Sequence, residues 1–238
     1  MNALQSLTIK IFADGADLAS MLALAEQPHI KGLTTNPTLM RQAGIADYKA
    51  FAADVLAAIP DKPISFEVFA DEPVEMLRQA RLIASWGDNV YVKIPVTTTD
   101  GASTNPMVAE LSSNGVKLNV TALMTPEQVS SVAAAMEPGV PAIISVFAGR
   151  VADTGRDPVP LMTECVDRLL HRDEIELIWA SPRELLNIFQ ANEIGCDIIT
   201  VTPDLLKKLE LVGKDLAVFS LETVQMFHRD ATLAGFQL

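Results

Sequence analysis

The stretch Ala142-Ile-Ile-Ser-Val-Phe147 decides the fold class. Only Ser145 interrupts an otherwise apolar run. Successive side chains of a strand point to opposite faces, so this strand is apolar on both. A half-solvated strand would alternate apolar and polar residues. An apolar run on both faces belongs to a parallel sheet covered by helices. Parallel strands need a crossover between them, normally a helix. The neighbourhood supplies one: residues about 158–171 carry a helical apolar pattern, and Glu174 to Ala180 is again strand-like.

The same alternation extends in both directions. Towards the N-terminus, Thr8 to Ala13, Gly32-Leu-Thr34, Ile64 to Phe69, Asn89 to Val96 and Lys117 to Ala122 are strand-like. Helical patterns separate them: Asp17 to Glu26 with Asp17 as N-cap, then about 46–58, 73–86 and 105–114. Thr125-Pro126-Glu127-Gln128 opens a further helix with a cap followed by proline at the first helical position. Towards the C-terminus come a helix over Arg183 to Asn192, a strand over Asp197 to Val201 and a helix begun by Pro203. Eight strands, each followed by a helix, predict an α/β fold of (β/α)8 TIM-barrel type. An open doubly wound sheet is the runner-up. No GxGxxG or P-loop follows the first strand, which counts against it. No linker divides the chain, so one domain is expected over residues 1–238. Residues about 214–233 carry Leu216, Val218, Phe219, Leu221, Val224 and Phe227 and predict an extra helix that packs on a neighbouring subunit.

Composition narrows the function. The chain has 238 residues, 49% of them hydrophobic, with 18 basic and 30 acidic residues and a net charge of −12. So apolar a chain can bury a large core, which excludes disorder. Its acidity argues against nucleic acid or an anionic membrane as partner. No apolar run reaches the length of a membrane span, and Met1 to Lys10 lacks the pattern of a signal peptide. Cys165 and Cys196 have no motif spacing and read as reduced, buried residues of a cytoplasmic protein. His29, His171 and His228 are far apart, with no metal-ligand spacing.

In a TIM barrel the chemistry sits at the C-terminal ends of the strands. Those ends carry Asp14, Thr34-Thr35-Asn36, Glu67, Lys93, Asn119 and Thr121, Ser145 with Arg150 just beyond, Ser181, and Thr200 with Thr202. Lys93 interrupts the apolar run Val90-Tyr-Val-Lys-Ile-Pro-Val96 and shares a strand face with Tyr91 and Pro95. Burial of an amine favours its neutral form, which attacks carbonyls and forms a Schiff base. A surface lysine reaching out to water is the plainer reading of the residue by itself. Asp14 and Glu67 could supply the proton transfers such chemistry needs. Each could equally be a solvated strand-end acid. Arg150 and Arg183 are candidates for an anionic substrate group, helped by helix N-termini near Ser181 and Thr202. Surface ion pairs are the alternative for both.

These segments together resemble the transaldolase family, on the short-chain side shared with fructose-6-phosphate aldolases. The resemblance is carried by Lys10-Ile-Phe-Ala-Asp14, Gly32-Leu-Thr-Thr-Asn-Pro37, Phe66-Glu-Val68, Tyr91-Val-Lys-Ile-Pro-Val-Thr97, Leu118-Asn-Val-Thr-Ala122, Ser145-Val-Phe-Ala-Gly-Arg150 and Ile198-Ile-Thr-Val-Thr202. It covers nearly the whole chain. It implies a cofactor-free class I mechanism with Lys93 as the Schiff-base lysine. It makes Asp14 the base for C–C cleavage, Glu67 an acid acting through a bound water, and Thr121 the hydroxyl that holds that water. Thr34, Asn36, Asn119 and Ser145 fall among the residues around the three-carbon unit. Phe147 and Glu67 match the transaldolase arrangement; the aldolase branch tends to carry tyrosine and glutamine there. The implied reaction moves a dihydroxyacetone unit from a ketose phosphate to an aldehyde, the chemistry of the pentose phosphate pathway. The implied partner is a small anionic sugar, and the implied assembly a homo-oligomer, with a decamer as one size.

Two departures concern the substrate's far end. The family usually has an aromatic and then a basic residue after the strand-seven serine. Here the segment reads Trp179-Ala-Ser181-Pro-Arg183-Glu184. In Val151-Ala-Asp-Thr-Gly-Arg-Asp157, Arg156 adds another candidate anion contact. A sugar phosphate is the first expectation; a sugar with another terminal anion, such as a sulfonate, is the alternative, and fructose-6-phosphate aldolase activity is also open.

Overall fold

The structure, a computed structural model, describes residues 7–236. The leader-free reading of Met1 to Lys10 rests largely on residues 1–6, outside the described residues. Eight strands follow one another: β1 (Lys10–Asp14), β2 (Ile30–Thr34), β3 (Ile64–Glu67), β4 (Val90–Pro95), β5 (Leu118–Leu123), β6 (Ala142–Val146), β7 (Ile175–Trp179) and β8 (Ile198–Val201). Each pairs in parallel with the next, and β8 closes on β1, giving a closed TIM barrel. All five residues of β6 are buried, as its two-sided apolar run demands.

The helices are α1 (Leu18–Ala25), α2 (Pro37–Gln42), α3 (Tyr48–Ala58), α4 (Pro73–Ala84), α5 (Asn105–Ser113), α6 (Pro126–Ala135), α7 (Ala148–Asp153), α8 (Pro158–Asp167), α9 (Leu186–Glu193), α10 (Pro203–Leu206) and α11 (Leu216–Ala234). Their starts are written locally. Asp17 accepts from Ser20 N and Asp47 from Ala50 N. Thr125 and Gln128 close a capping box at α6. Two short helices, α2 and α7, were not expected from the sequence. With six residues each they are too short to display a helical period. The α9 helix begins at Leu186, not at Arg183. Ser181 takes a left-handed φ of 57°, and the Asn187 side chain accepts from the backbone N–H groups of Arg183 and Glu184, which holds the preceding turn open.

Inside the barrel, Phe12, Ile143, Ile178, Ala180 and Ile198 pack with Tyr91 and Phe147. Gly32 makes room for the Phe12 ring: a Cβ there would lie 2.5 Å from it. A larger apolar layer joins the outer face of the sheet to the helices. Cys165 and Cys196 are free and buried, and burial pushes both thiols up to about 12. The tail helix α11 spans the expected region, but none of its residues is buried. No helix of the described residues is long and apolar enough to cross a membrane.

Candidate active site

Register sets the site. Glu67 pairs with Lys93, and Lys93 with Asn119. Paired residues on neighbouring strands point the same way, so an acid, an amine and an amide lie side by side. One step further, Pro95 pairs with Thr121, and across the barrel Asp14 pairs with Thr34. The strand ends enclose a cavity of about 530 Å³. Its wall includes Asp14, Thr34, Asn36, Glu67, Lys93, Thr121, Ser145, Phe147, Arg150, Ser181, Arg183 and Thr200.

Lys93 is 7% exposed, which discards the surface reading. Its Nζ lies 3.4 Å from Glu67 Oε2 and donates to the Thr35 carbonyl at 3.1 Å. Burial raises the Glu67 carboxyl above its usual range, against the opposing pull of Lys93. Burial likewise raises Asp14, opposed by Lys93, Thr34 and Asn36. The Thr34 hydroxyl donates to Asp14 Oδ1 at 2.8 Å and lies 2.6 Å from the Thr200 hydroxyl. Asn36 caps α2 through Leu39 N, and its amide sits 3.5 Å from Asp14 Oδ2. The buried Thr121 hydroxyl has no hydrogen-bond partner among the described residues. Such a group is normally satisfied, by water if not by protein. The adjoining Ala122 has a left-handed φ of 66° at a register break between β5 and β6, so the chain swerves beside this hydroxyl.

Among the residues expected around the three-carbon unit, Asn119 alone lies outside the cavity wall. Asn119 is fully buried beneath it, donating to Ser65 Oγ at 2.9 Å and accepting from Ser145 Oγ at 2.7 Å. Its amide orients Ser145, which does reach the wall.

The outer end of the cavity holds the two arginines. Arg150 stands over the Phe147 ring, 5.2 Å from its centroid, with no carboxylate partner among the described residues. Arg183 is also on the wall, but Asp153 grips it in two-point fashion through Nε, at 2.8 Å, and Nη2. Arg156 turns to Thr154 and does not line the cavity, so the extra anion contact expected of it is not made. The next helix in the chain, α9, starts only at Leu186, while the first turn of α7 packs against Ser181 through Gly149.

A model of the family described as transaldolase/fructose-6-phosphate aldolase matches residues 11–237. The chain belongs to that family. A protein of Dehalococcoides mccartyi named a probable transaldolase is 36% identical over 196 residues, covering 81% of this chain and 86% of that one. Another so named, from Streptococcus equi subsp. zooepidemicus, is 36% identical over 202 residues, 84% and 90% of the two chains. Among solved structures, a dihydrodipicolinate synthase family protein from Coccidioides immitis superposes with a TM-score of 0.60 at 16% identity, covering 98% of this chain and 80% of that one. The dihydrodipicolinate synthase from Rhodopseudomonas palustris gives 0.58 at 15%, covering 90% and 79%. At that identity the two structures speak for the TIM barrel alone.

Several residues around this cavity had no role assigned from sequence. Thr200 stands at a strand end, and its partner, Thr34, comes from a strand distant in sequence. Ser65 and Asp153 act through side chains distant in sequence. Tyr48 lies on α3, and its hydroxyl meets the backbone of Glu67. A tyrosine whose partner is backbone leaves no pattern in the chain.

Proposed function

We propose that the chain is a class I transaldolase that carries a dihydroxyacetone unit on Lys93. The observation that carries this reading is the buried Lys93 amine between Glu67 and Asp14 on the wall of one cavity. Lys93 adds to the ketone of a ketose phosphate, and the carbinolamine loses water to give an iminium. Asp14 takes the proton of the hydroxyl next to the breaking bond, the C–C bond opens, and an aldehyde leaves. The enamine left on Lys93 then adds to an acceptor aldehyde, and hydrolysis frees the new ketose. A carboxylate raised by burial suits Asp14 to this work, because a base acts best when its pKa nears the working pH. Glu67 moves the protons of dehydration through a water held on Thr121, whose unpartnered hydroxyl supports that role. Asn36 and Ser145 hold the hydroxyls of the three-carbon unit, and Phe147 provides no acid of its own to protonate the enamine. Arg150, Ser181 and Arg183 receive the terminal anion.

A second reading, a terminal group of lower charge such as a sulfonate, draws on the Asp153–Arg183 pair, which leaves Arg150 as the uncompensated guanidinium. Turnover of fructose 6-phosphate against its 6-sulfo analogue separates the two. The apolar residues of α11, among them Phe227 at 63% exposure, support a homo-oligomer in which this helix is covered by a second copy. A monomeric mass by light scattering would overturn that. The reading makes this a cytoplasmic enzyme of carbohydrate metabolism.

Borohydride reduction in the presence of a ketose tests the mechanism. The wild type is expected to form a stable secondary amine at Lys93, and Lys93→Ala to form none. An adduct that persists in Lys93→Ala refutes it.

A further inference from the structure

The β2–β3 ladder runs out where the acid is needed. Leu33 N–H donates to Pro63 C=O and Thr35 N–H to Ser65 C=O. Pro63, Ser65 and Glu67 therefore turn their backbone groups towards β2, while Ile64 and Val68 turn theirs towards β4. The next rung needs an N–H at position 37 for the Glu67 carbonyl. Position 37 is proline, which has none. It also needs the Thr35 carbonyl for the Glu67 N–H; that carbonyl accepts from Lys93 Nζ at 3.1 Å, and the Glu67 N–H goes elsewhere. Neither backbone group of Glu67 is paired with β2 at the end of the strand.

One side chain replaces both missing partners. The Tyr48 hydroxyl accepts from Glu67 N at 2.8 Å and donates to Glu67 O at 3.1 Å. A phenol has one proton to give and lone pairs to accept with, so one group suffices. Its ring is fixed by Phe66, Phe69 and Trp86, with centroids 4.6–6.0 Å away. Burial raises the phenol's pKa, which keeps it a donor at neutral pH. From this geometry we infer that Tyr48 is a positioning residue: it stands in for the absent rung of β2 and fixes the backbone from which Glu67 reaches Lys93. The inference rests on the Schiff-base reading of Lys93 and Glu67.

Tyr48→Phe keeps the ring and removes the hydroxyl. Loss of register at an acid costs rate, so kcat for transfer is expected to fall about 10- to 100-fold. The KM of the ketose donor stays within about twofold, because the contacts to substrate remain. In a Glu67→Gln background the same change costs less than about twofold, since Tyr48 acts through Glu67. Equal losses in both backgrounds overturn the inference. If Tyr48→Phe fails to fold, fluorotyrosine replaces it. The chain has only two tyrosines, so Tyr91→Phe leaves Tyr48 as the sole labelled position. Fluorination weakens the hydroxyl as an acceptor and strengthens it as a donor. It should alter kcat at least about twofold with Glu67 present and leave it unchanged with Glu67→Gln; an equal effect in both again refutes the role. A wild type that yields no ketose adduct at Lys93 instead refutes the Schiff-base reading.

Discussion

Gly149 is where packing and substrate recognition meet most tightly. A Cβ at this position would lie 1.5 Å from the Ser181 carbonyl oxygen and 2.6 Å from its carbon. Ordinary contact begins near 3.4 Å, so Gly149→Ala requires the Ser181 backbone to retreat by about 1.9 Å. Nothing flexible takes up that movement. Gly149 N–H bonds to the Ala180 carbonyl at 3.2 Å, and Ser181 is held at a left-handed φ of 57°. Overpacking of this kind costs about 1–3 kcal/mol, which lowers the Tm of a chain this long by roughly 2–12 °C. The catalytic effect is larger and selective. The displaced segment carries Ser181 and leads to Arg183 at the outer end of the cavity, whereas Lys93, Glu67, Asp14 and Thr121 stand on other strands. A misplacement of about 1 Å costs up to about 100-fold in rate. The KM for fructose 6-phosphate is therefore expected to rise about 10- to 100-fold. Borohydride trapping with dihydroxyacetone, which has no terminal anion, should change little. Both are measured on the same preparation, with Tm as the control for folding. Equal losses with the two ligands would refute a separate anion end, and an unchanged KM with a lowered Tm would refute the assignment of Ser181 to it.

Asp14→Asn is expected to raise stability while removing activity. Burial holds this carboxyl above its ordinary 3.8, so between that value and the raised one the folded chain keeps a proton that the unfolded chain releases. Stability accordingly falls as pH rises through that window. The variant should melt above wild type at neutral pH, with the difference closing near pH 4, and should cleave ketose about 10²- to 10⁴-fold more slowly; a lower Tm at neutral pH would contradict the burial argument. Phe147→Tyr places a phenol on the cavity wall beside Arg150. It should raise the ratio of free aldol cleavage to transfer by roughly tenfold or more, as expected for an added general acid; an unchanged ratio in paired assays with and without acceptor aldehyde counts against the role of position 147.

What the sequence could disclose depended on where each residue's partner lay. Lys93 was legible because a charge inside an apolar strand contradicts its surroundings, and period two then fixes the face it occupies. The barrel was legible because β6 is apolar on both faces and the alternation recurs around it. Asn119 was assigned to the cavity because its strand position is right; its two hydrogen bonds, to Ser65 and Ser145, draw it below the wall, and both partners come from other strands. The Asp153–Arg183 pair depends on α7, a helix too short to leave a periodic trace, so a surface ion pair could be weighed for Arg183 but its partner could not be named. Pro37 is the instructive case. Locally, the proline after Asn36 opens the short helix α2, which left no period in the sequence. Read across the sheet, the same proline deletes a backbone donor owed to Glu67, so some other group must supply it. That demand follows from the sequence once the register is known; the choice of Tyr48 to meet it does not, because the hydroxyl comes from α3 and meets Glu67 through backbone groups. A strand-end proline beside an acid is thus a place where the missing rung can be sought before any partner is visible.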